Sequence, residues 1–463
     1  MSSEKIDVYR PAGLLERFHI TRQYLKFDSC VIVAGKFTSA SQKRLSPEII
    51  YPAVVHALGV HAGLSVRIVG ERGPKPLFAR MPEVDIASAI RFLGEKSESD
   101  LASVMEEEFM DVIDASKGLP LWRIVVTSDN VVIFAWHHAI GDGQSGLAFL
   151  RTLLGGLNKG PQQSFSDSED GFKHIKTSPD TKMGPPVEQL TDISVSFRTL
   201  VSALAGVLLP QGWIKRNIWT GNDVPKSSSC DEVKTQVRII PISPSSASRL
   251  LSLSKSHGAT LTSTLYVLVV SVLSKLISDS DPKHKFKRIS TGVPVSLRPL
   301  ANLPPSVMCE CVSSYQKNEP LLLSGFSWEK AAAYNKELHK NVPKTREIIG
   351  SIKYLAGKYE EFFRGKLGKK RGGSFEISNV GVFKPNVEGE LAAPEGSEWK
   401  IETAYFAQDD GVSGPALKIN VAGSPNGGVN VCVTWGDGEV DDALAESFVK
   451  DLQTSISRLA EDV

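Results

Sequence analysis

The stretch Leu121–Gly143, LWRIVVTSDNVVIFAWHHAIGDG, constrains the fold more than any other part of the chain. Two runs rich in β-branched residues are split by Ser128-Asp129-Asn130, a turn signal, so the spacing predicts a β-hairpin. The second run ends on His137 and His138, with Asp142 and Gly143 following after three more residues. SGLAFLRTLLGGL then carries apolar residues at helical spacing. The two histidines therefore lie where a strand ends and a helix begins.

The same alternation runs through both halves. Helices are expected over 14–26, 47–58 and 100–114, and strands over 30–37 and 63–70. In the second half, strands are expected at 235–243 and 288–300, then at SFEISNVGVF, TAYFAQ, ALKINVAG and VNVCVTW. Helices are expected over 243–258, 260–278, 327–342 and 441–459, the second of them buried. Residues 156–185 are polar and rich in Ser, Gly and Pro, as in a linker or surface loop. A chain of 463 residues exceeds what one core normally covers. The expectation is an α/β (α+β) fold with an N-terminal lobe over 1–185, a linker with an apolar helix over 186–230, and a C-terminal lobe over 231–463.

Composition excludes several classes of function. With 53 basic and 52 acidic residues there is no concentrated positive field, so no nucleic-acid partner is expected. The basic run Lys366–Arg371 reads as a solvated loop that could also attract a phosphorylated small molecule. The five cysteines are odd in number and scattered, which fits a reduced compartment. Cys309 and Cys311 form a CxC without a second pair, and no metal site is expected. The opening MSSEKIDVYRPAG lacks the apolar core of a secretory signal, so a cytoplasmic location is expected. Residues 195–214, VSFRTLVSALAGVLLPQGWI, are interrupted by Arg198, Pro210 and Gln211 and read as a buried or amphipathic helix. Peripheral contact with an endoplasmic-reticulum or lipid-droplet membrane through this segment is the alternative.

Histidine is the natural general base near neutral pH, with an ordinary pKa of about 6.5. His138 and Asp142 could meet only in a turn-like segment, and Gly141 and Gly143 permit a tight backbone there. A buried Asp142 should have a cationic partner, because an isolated buried carboxylate is expensive. His19, His56, His61, His174, His257, His284 and His339 read as ordinary core or surface residues. No GxGxxG, GxSxG, Walker or HExxH pattern is present. Asp409-Asp410 and Asp441-Asp442 read as a surface turn and a helix N-terminus.

HHAIGDG, His137–Gly143, resembles the HHxxxDG motif of the chloramphenicol-acetyltransferase-like superfamily of CoA-dependent acyltransferases. PLWRIVV (120–126) and GVPVSLRP (292–299) are similar to the same enzymes, and LLERFHITRQYLKFDSCVIVAGKF looks most like their fungal alcohol acetyltransferase branch. The resemblance implies two lobes, each a mixed sheet flanked by helices, with a tunnel between them and the histidine at its midpoint. It implies a monomer that uses an acyl-CoA, acetyl-CoA foremost, and a small-molecule alcohol acceptor. An amine acceptor, or condensation and cyclisation of a carrier-bound chain, are the alternatives. By position, His138 matches the base, His137 a structural neighbour, and Asp142 an aspartate that points away and pairs with an arginine, here Arg298. Gly143 would keep the tunnel mouth open. SNVG, with Ser378 and Asn379, is similar to an SN(L/V)G segment that approaches the active site, so either residue is a candidate oxyanion donor. The DFGWG sequence of the plant branch is absent, and TWGDG (434–438) is not equated with it.

Overall fold

The expected hairpin forms, with strands Trp122–Thr127 and Val131–Trp136 paired antiparallel across the Ser128–Asn130 turn. Asn130 takes a positive φ of 68°, a conformation Asn tolerates better than most residues. All six residues of Val131–Trp136 are buried, because this strand is central and covered on both faces. The computed structural model describes residues 6–159, 172, 174–201, 216–227, 232–386, 396–409 and 411–461.

The first sheet has five strands, in the order Trp399–Gln408, Val31–Ser39, Val131–Trp136, Trp122–Thr127, Ile90–Leu93. Helices Pro47–Val60 and Gly143–Lys159 pack on each other and help cover it, with the Phe149 ring stacked on Phe134 at 3.8 Å. The second sheet has seven strands. Six run in the order Ile218–Trp219, Arg288–Ser296, Gly373–Val382, Pro415–Gly423, Val429–Gly436, Thr235–Ile242, and Val312–Pro320 pairs with Arg288–Ser296. Its core faces helices Pro244–Ser256, Leu261–Ser280 and Asp442–Glu461. Leu261–Ser280 is the one helix among the described residues long and apolar enough to cross a membrane, and most of it is buried within the protein. That burial is what a core helix shows.

The order of strands departs from the sequence reading in one respect. Trp399–Gln408 lies beyond residue 231, yet it is the edge strand of the first sheet, antiparallel to Val31–Ser39. It also lies against the second sheet, where Gln408 Nε2 donates to Asn420 (3.0 Å), Thr434 Oγ1 donates to the Gln408 carbonyl (2.8 Å), and Asn430 Nδ2 donates to the Ala404 carbonyl (2.9 Å). The lobes are thus welded by a strand that one half lends to the other. Periodicity cannot reveal this, since it reports a strand and not the strand's neighbour. Val312–Pro320 escaped the sequence reading because it is polar along most of its length, as a strand paired on one side can be. Of the apolar segment 195–214, residues 202–214 lie outside the described residues, as do 160–171 of the polar linker, Cys230 and Asp410; Phe197, at its described end, is exposed.

Candidate active site

After Trp136 the chain turns through His138–Ile140 and enters the helix Gly143–Lys159. Trp136 Nε1 donates to the Gly141 carbonyl (2.7 Å), which pins the loop to the end of its own strand. Gly141 is needed for space and not for an unusual φ: a Cβ there would lie 2.6 Å from Ser145 Cβ. Gly143 is likewise a packing position, since a Cβ would meet Val380 Cγ1 at 2.7 Å and Phe406 Cζ at 2.9 Å. Where the resemblance implies an open tunnel mouth at Gly143, the structure brings two strands into contact.

Asp142 precedes the helix and caps it, accepting from Ser145 N (3.1 Å) and Ser145 Oγ (3.1 Å). It points away from His138, so the two do not meet within the turn. Its other oxygen accepts from Arg298 Nη1 and from Cys311 N (3.2 Å). The Asp142–Arg298 ion pair is buried, each side chain 3% exposed. The cationic partner that burial demands is therefore present. Arg298 Nη2 also donates to Ser145 Oγ (3.2 Å) and to the carbonyls of Val307 (3.1 Å) and Cys309 (3.3 Å).

This pair organises a segment that sequence reasoning passed over. The Cys309 carbonyl accepts from Asp142 N (3.2 Å) and Cys309 N donates to Ser145 Oγ (3.1 Å), while Cys311 N donates to Asp142 (3.2 Å). Held on both flanks, residues 309–311 present the intervening Glu310 to His138, whose Nδ1 lies 3.0 Å from Glu310 Oε2. His19, read from the sequence as an ordinary core or surface residue, stacks on the other face of the site. Its ring lies 3.8 Å from that of His138, centroid to centroid, at 11°. The helix Leu14–Tyr24 carries it there by packing on the His138–Ile140 turn. Two signals were available and both were weak: an acidic residue inside CxC, and a histidine on a helix with no partner in sequence.

The two motif histidines differ. His137 is buried, its Nδ1 accepts from Ala139 N (3.0 Å), and burial drives its pKa down to about 3, so it is a neutral structural ring. Burial also presses His138 downward, but the Glu310 carboxylate outweighs it and leaves His138 above the ordinary value. Burial pushes Glu310 up to about 7, partly offset by His138. Burial holds His19 well below its usual range and therefore uncharged. His138 keeps 16% of its side chain exposed, and its Nε2 has no hydrogen-bond partner among the described residues.

His19, His138 and Glu310 also form a group of metal-ligand types, with donor atoms within 4.8 Å of one another. The two imidazoles lie nearly parallel, at 11°, and His138 Nδ1 is already engaged by Glu310.

Ser378 and Asn379 lie on Gly373–Val382, where the register shifts between Asn379 and Val382. Asn379 is committed elsewhere: Nδ2 donates to Thr262 Oγ1 (3.0 Å) and Oδ1 accepts from Gly381 N (2.9 Å). Ser378 is buried, makes no side-chain hydrogen bond among the described residues, and shares a strand face with Val380, the residue packed on Gly143.

A two-lobed mixed-sheet fold thus carries a partly exposed histidine on a loop held by a buried Asp–Arg pair. Among solved structures, the trichothecene 15-O-acetyltransferase TRI3 of Fusarium sporotrichioides superposes with a TM-score of 0.69 at 14% identity, covering 97% of this chain and 94% of that one. The first condensation domain of the calcium-dependent antibiotic synthetase reaches 0.59 at 14% identity, covering 98% and 97%. The alcohol acetyltransferase family model matches residues 85–456, and the chain belongs to that family. The probable alcohol acetyltransferase crmB of Aspergillus fumigatus is 26% identical over 428 residues, 86% of this chain and 87% of its own length. The probable alcohol acetyltransferase FCK4 of Fusarium pseudograminearum is 23% identical over 462 residues, 94% and 91%. The protein is therefore an acyltransferase that uses an acyl-CoA and a small-molecule alcohol.

Proposed function

We propose that His138 Nε2 is the base for direct transfer of an acetyl group from acetyl-CoA to a hydroxyl. Nε2 takes the acceptor proton as its oxygen attacks the thioester carbonyl. The tetrahedral oxyanion collapses, the C–S bond breaks, and the leaving CoA thiolate recovers the proton from Nε2. No acyl-enzyme forms. Asp142 and Arg298 do not touch the reactants; they hold the loop and the helix start in place. Ser378 is the side-chain donor on the strand facing the motif and is assigned to the oxyanion.

The observation that carries this reading is the contrast between the two rings. His137 is buried and used as a hydrogen-bond acceptor for the backbone, whereas His138 is held by Nδ1 and leaves Nε2 open. Free CoA release, measured with acetyl- and longer acyl-CoA against a panel of alcohols and amines, tests it. His138→Ala should lose turnover by about 10²–10⁴-fold with its far-UV circular dichroism unchanged. A folded His138→Ala enzyme with near-normal turnover overturns the mechanism. Release with amines but not alcohols would reassign the acceptor.

A further inference from the structure

Glu310 occupies a position that acyl transfer does not by itself require. Its side chain is fully buried, at 0% exposure, and a buried carboxylate costs several kcal/mol unless it is paired. His138 Nδ1 is its hydrogen-bonded partner. The pairing is not left to a flexible side chain, because Cys309 and Cys311 anchor the segment on Asp142 and Ser145. On the far side, Glu310 Oε1 faces His19 Nε2 at 3.7 Å, and His19 Nδ1 faces Asp28 Oδ2 at 3.9 Å. Glu310 Oε1, His19 Nδ1 and Asp28 Oδ2 are all buried without a hydrogen-bond partner. Asp28 is in turn paired with Arg22. A file of polar groups thus runs from His138 back into the protein, tight at Glu310 and loose behind it.

We propose that Glu310 is a positioning residue for His138. By accepting the Nδ1 proton it selects the tautomer whose Nε2 lone pair faces the site, and its charge compensates the imidazolium formed when Nε2 takes the acceptor proton. His19, uncharged and stacked on the ring, blocks rotation of His138 away from Glu310 without adding a competing positive charge. The inference rests on His138 being the base. The charged and titratable groups around His138 are Glu310, His19, Asp28 and His137; Arg22 acts through Asp28 and His19, and Asp142 and Glu16 act through Glu310.

The test is ring ¹⁵N NMR of the full-length protein labelled at histidine, with His138 assigned by its loss in a His138→Gln variant. The wild type should show neutral His138 protonated on Nδ1 and titrating above 6.5. In Glu310→Gln, which is isosteric and removes a buried charge, the midpoint should fall by about one pH unit or more. Glu310→Asp retains the charge and should stay within about half a unit of the wild type. With any alcohol the enzyme uses, kcat for Glu310→Gln should fall by about tenfold or more while KM for acetyl-CoA stays within about twofold. An Nε2-protonated tautomer in the wild type, or an unchanged midpoint in Glu310→Gln, overturns the role of Glu310. Activity surviving in His138→Ala would instead overturn the base assignment and leave the NMR result standing by itself.

Discussion

Removing Asp142 should unfold the junction between the lobes before it touches the chemistry. The carboxylate accepts from Arg298, from Ser145 N and Oγ, and from Cys311 N, all without solvent. Asp142→Ala therefore leaves a guanidinium that is 3% exposed with its counter-ion gone. Breaking one side of a buried pair costs about 3–5 kcal/mol, and loss of a helix N-cap adds about 1 kcal/mol. Against a total stability of about 5–15 kcal/mol this is a large share. Arg298→Met should cost a similar amount by stranding the carboxylate. The double variant Asp142→Ala/Arg298→Met removes both charges, so its cost should fall short of the sum of the single costs by at least about 2 kcal/mol. Urea unfolding followed by far-UV circular dichroism measures all three. Additive costs, or single-variant losses under about 1 kcal/mol, would refute the claim that this pair is desolvated and coupled. Where the single variants remain folded, kcat should fall as well, because Cys311 loses its anchor and Glu310 its fixed position.

Three further outcomes follow from the same geometry. Ser378→Ala should lower kcat by about 10²-fold, whereas Asn379→Ala should show first as a loss of about 1–2 kcal/mol in urea unfolding, because its amide bridges Thr262 and Gly381; equal kcat for wild type and Ser378→Ala would remove Ser378 from the site. Gly143→Ala should cost about 1–3 kcal/mol by driving Val380 and Phe406 apart, and a stabilised variant would contradict the packing. Stability should also fall with acid. His137 and His61, held neutral by burial with values near 3 and 4, take up protons at about 6.5 once unfolded. Their contribution is complete above about pH 6.5 and is lost as the pH falls toward those native values, about 2 kcal/mol each by pH 5. A flat urea midpoint between pH 7 and pH 5 would show that these rings are not desolvated.

Much of the site was legible in one dimension. The hairpin, the turn and the helix after it are set by contacts within a few residues, and alternation, turn residues and helical spacing all report such contacts directly. The motif's histidines and aspartate could be named from residue order alone, as could the need for a cation beside Asp142, since burial of a carboxylate is a local cost with a general remedy. What the tertiary structure decided has no local trace. Glu310 reaches His138 across 172 positions of sequence, and nothing in CEC distinguishes a clamped strap from any other coil. His19 looked like any helical histidine until its helix was docked on the turn. Ser378 and Asn379 are adjacent letters, and which one was free depended on whether Thr262 stood beside the strand. TAYFAQ, at the end of Trp399–Gln408, read as a strand of the second half, but backbone hydrogen bonds are alike for every partner, and its pairing with Val31–Ser39 placed it in the first sheet. Sequence order determined which groups could do chemistry; the meeting of distant segments determined their protonation and orientation, because desolvation and Coulomb coupling depend on what surrounds a group in space.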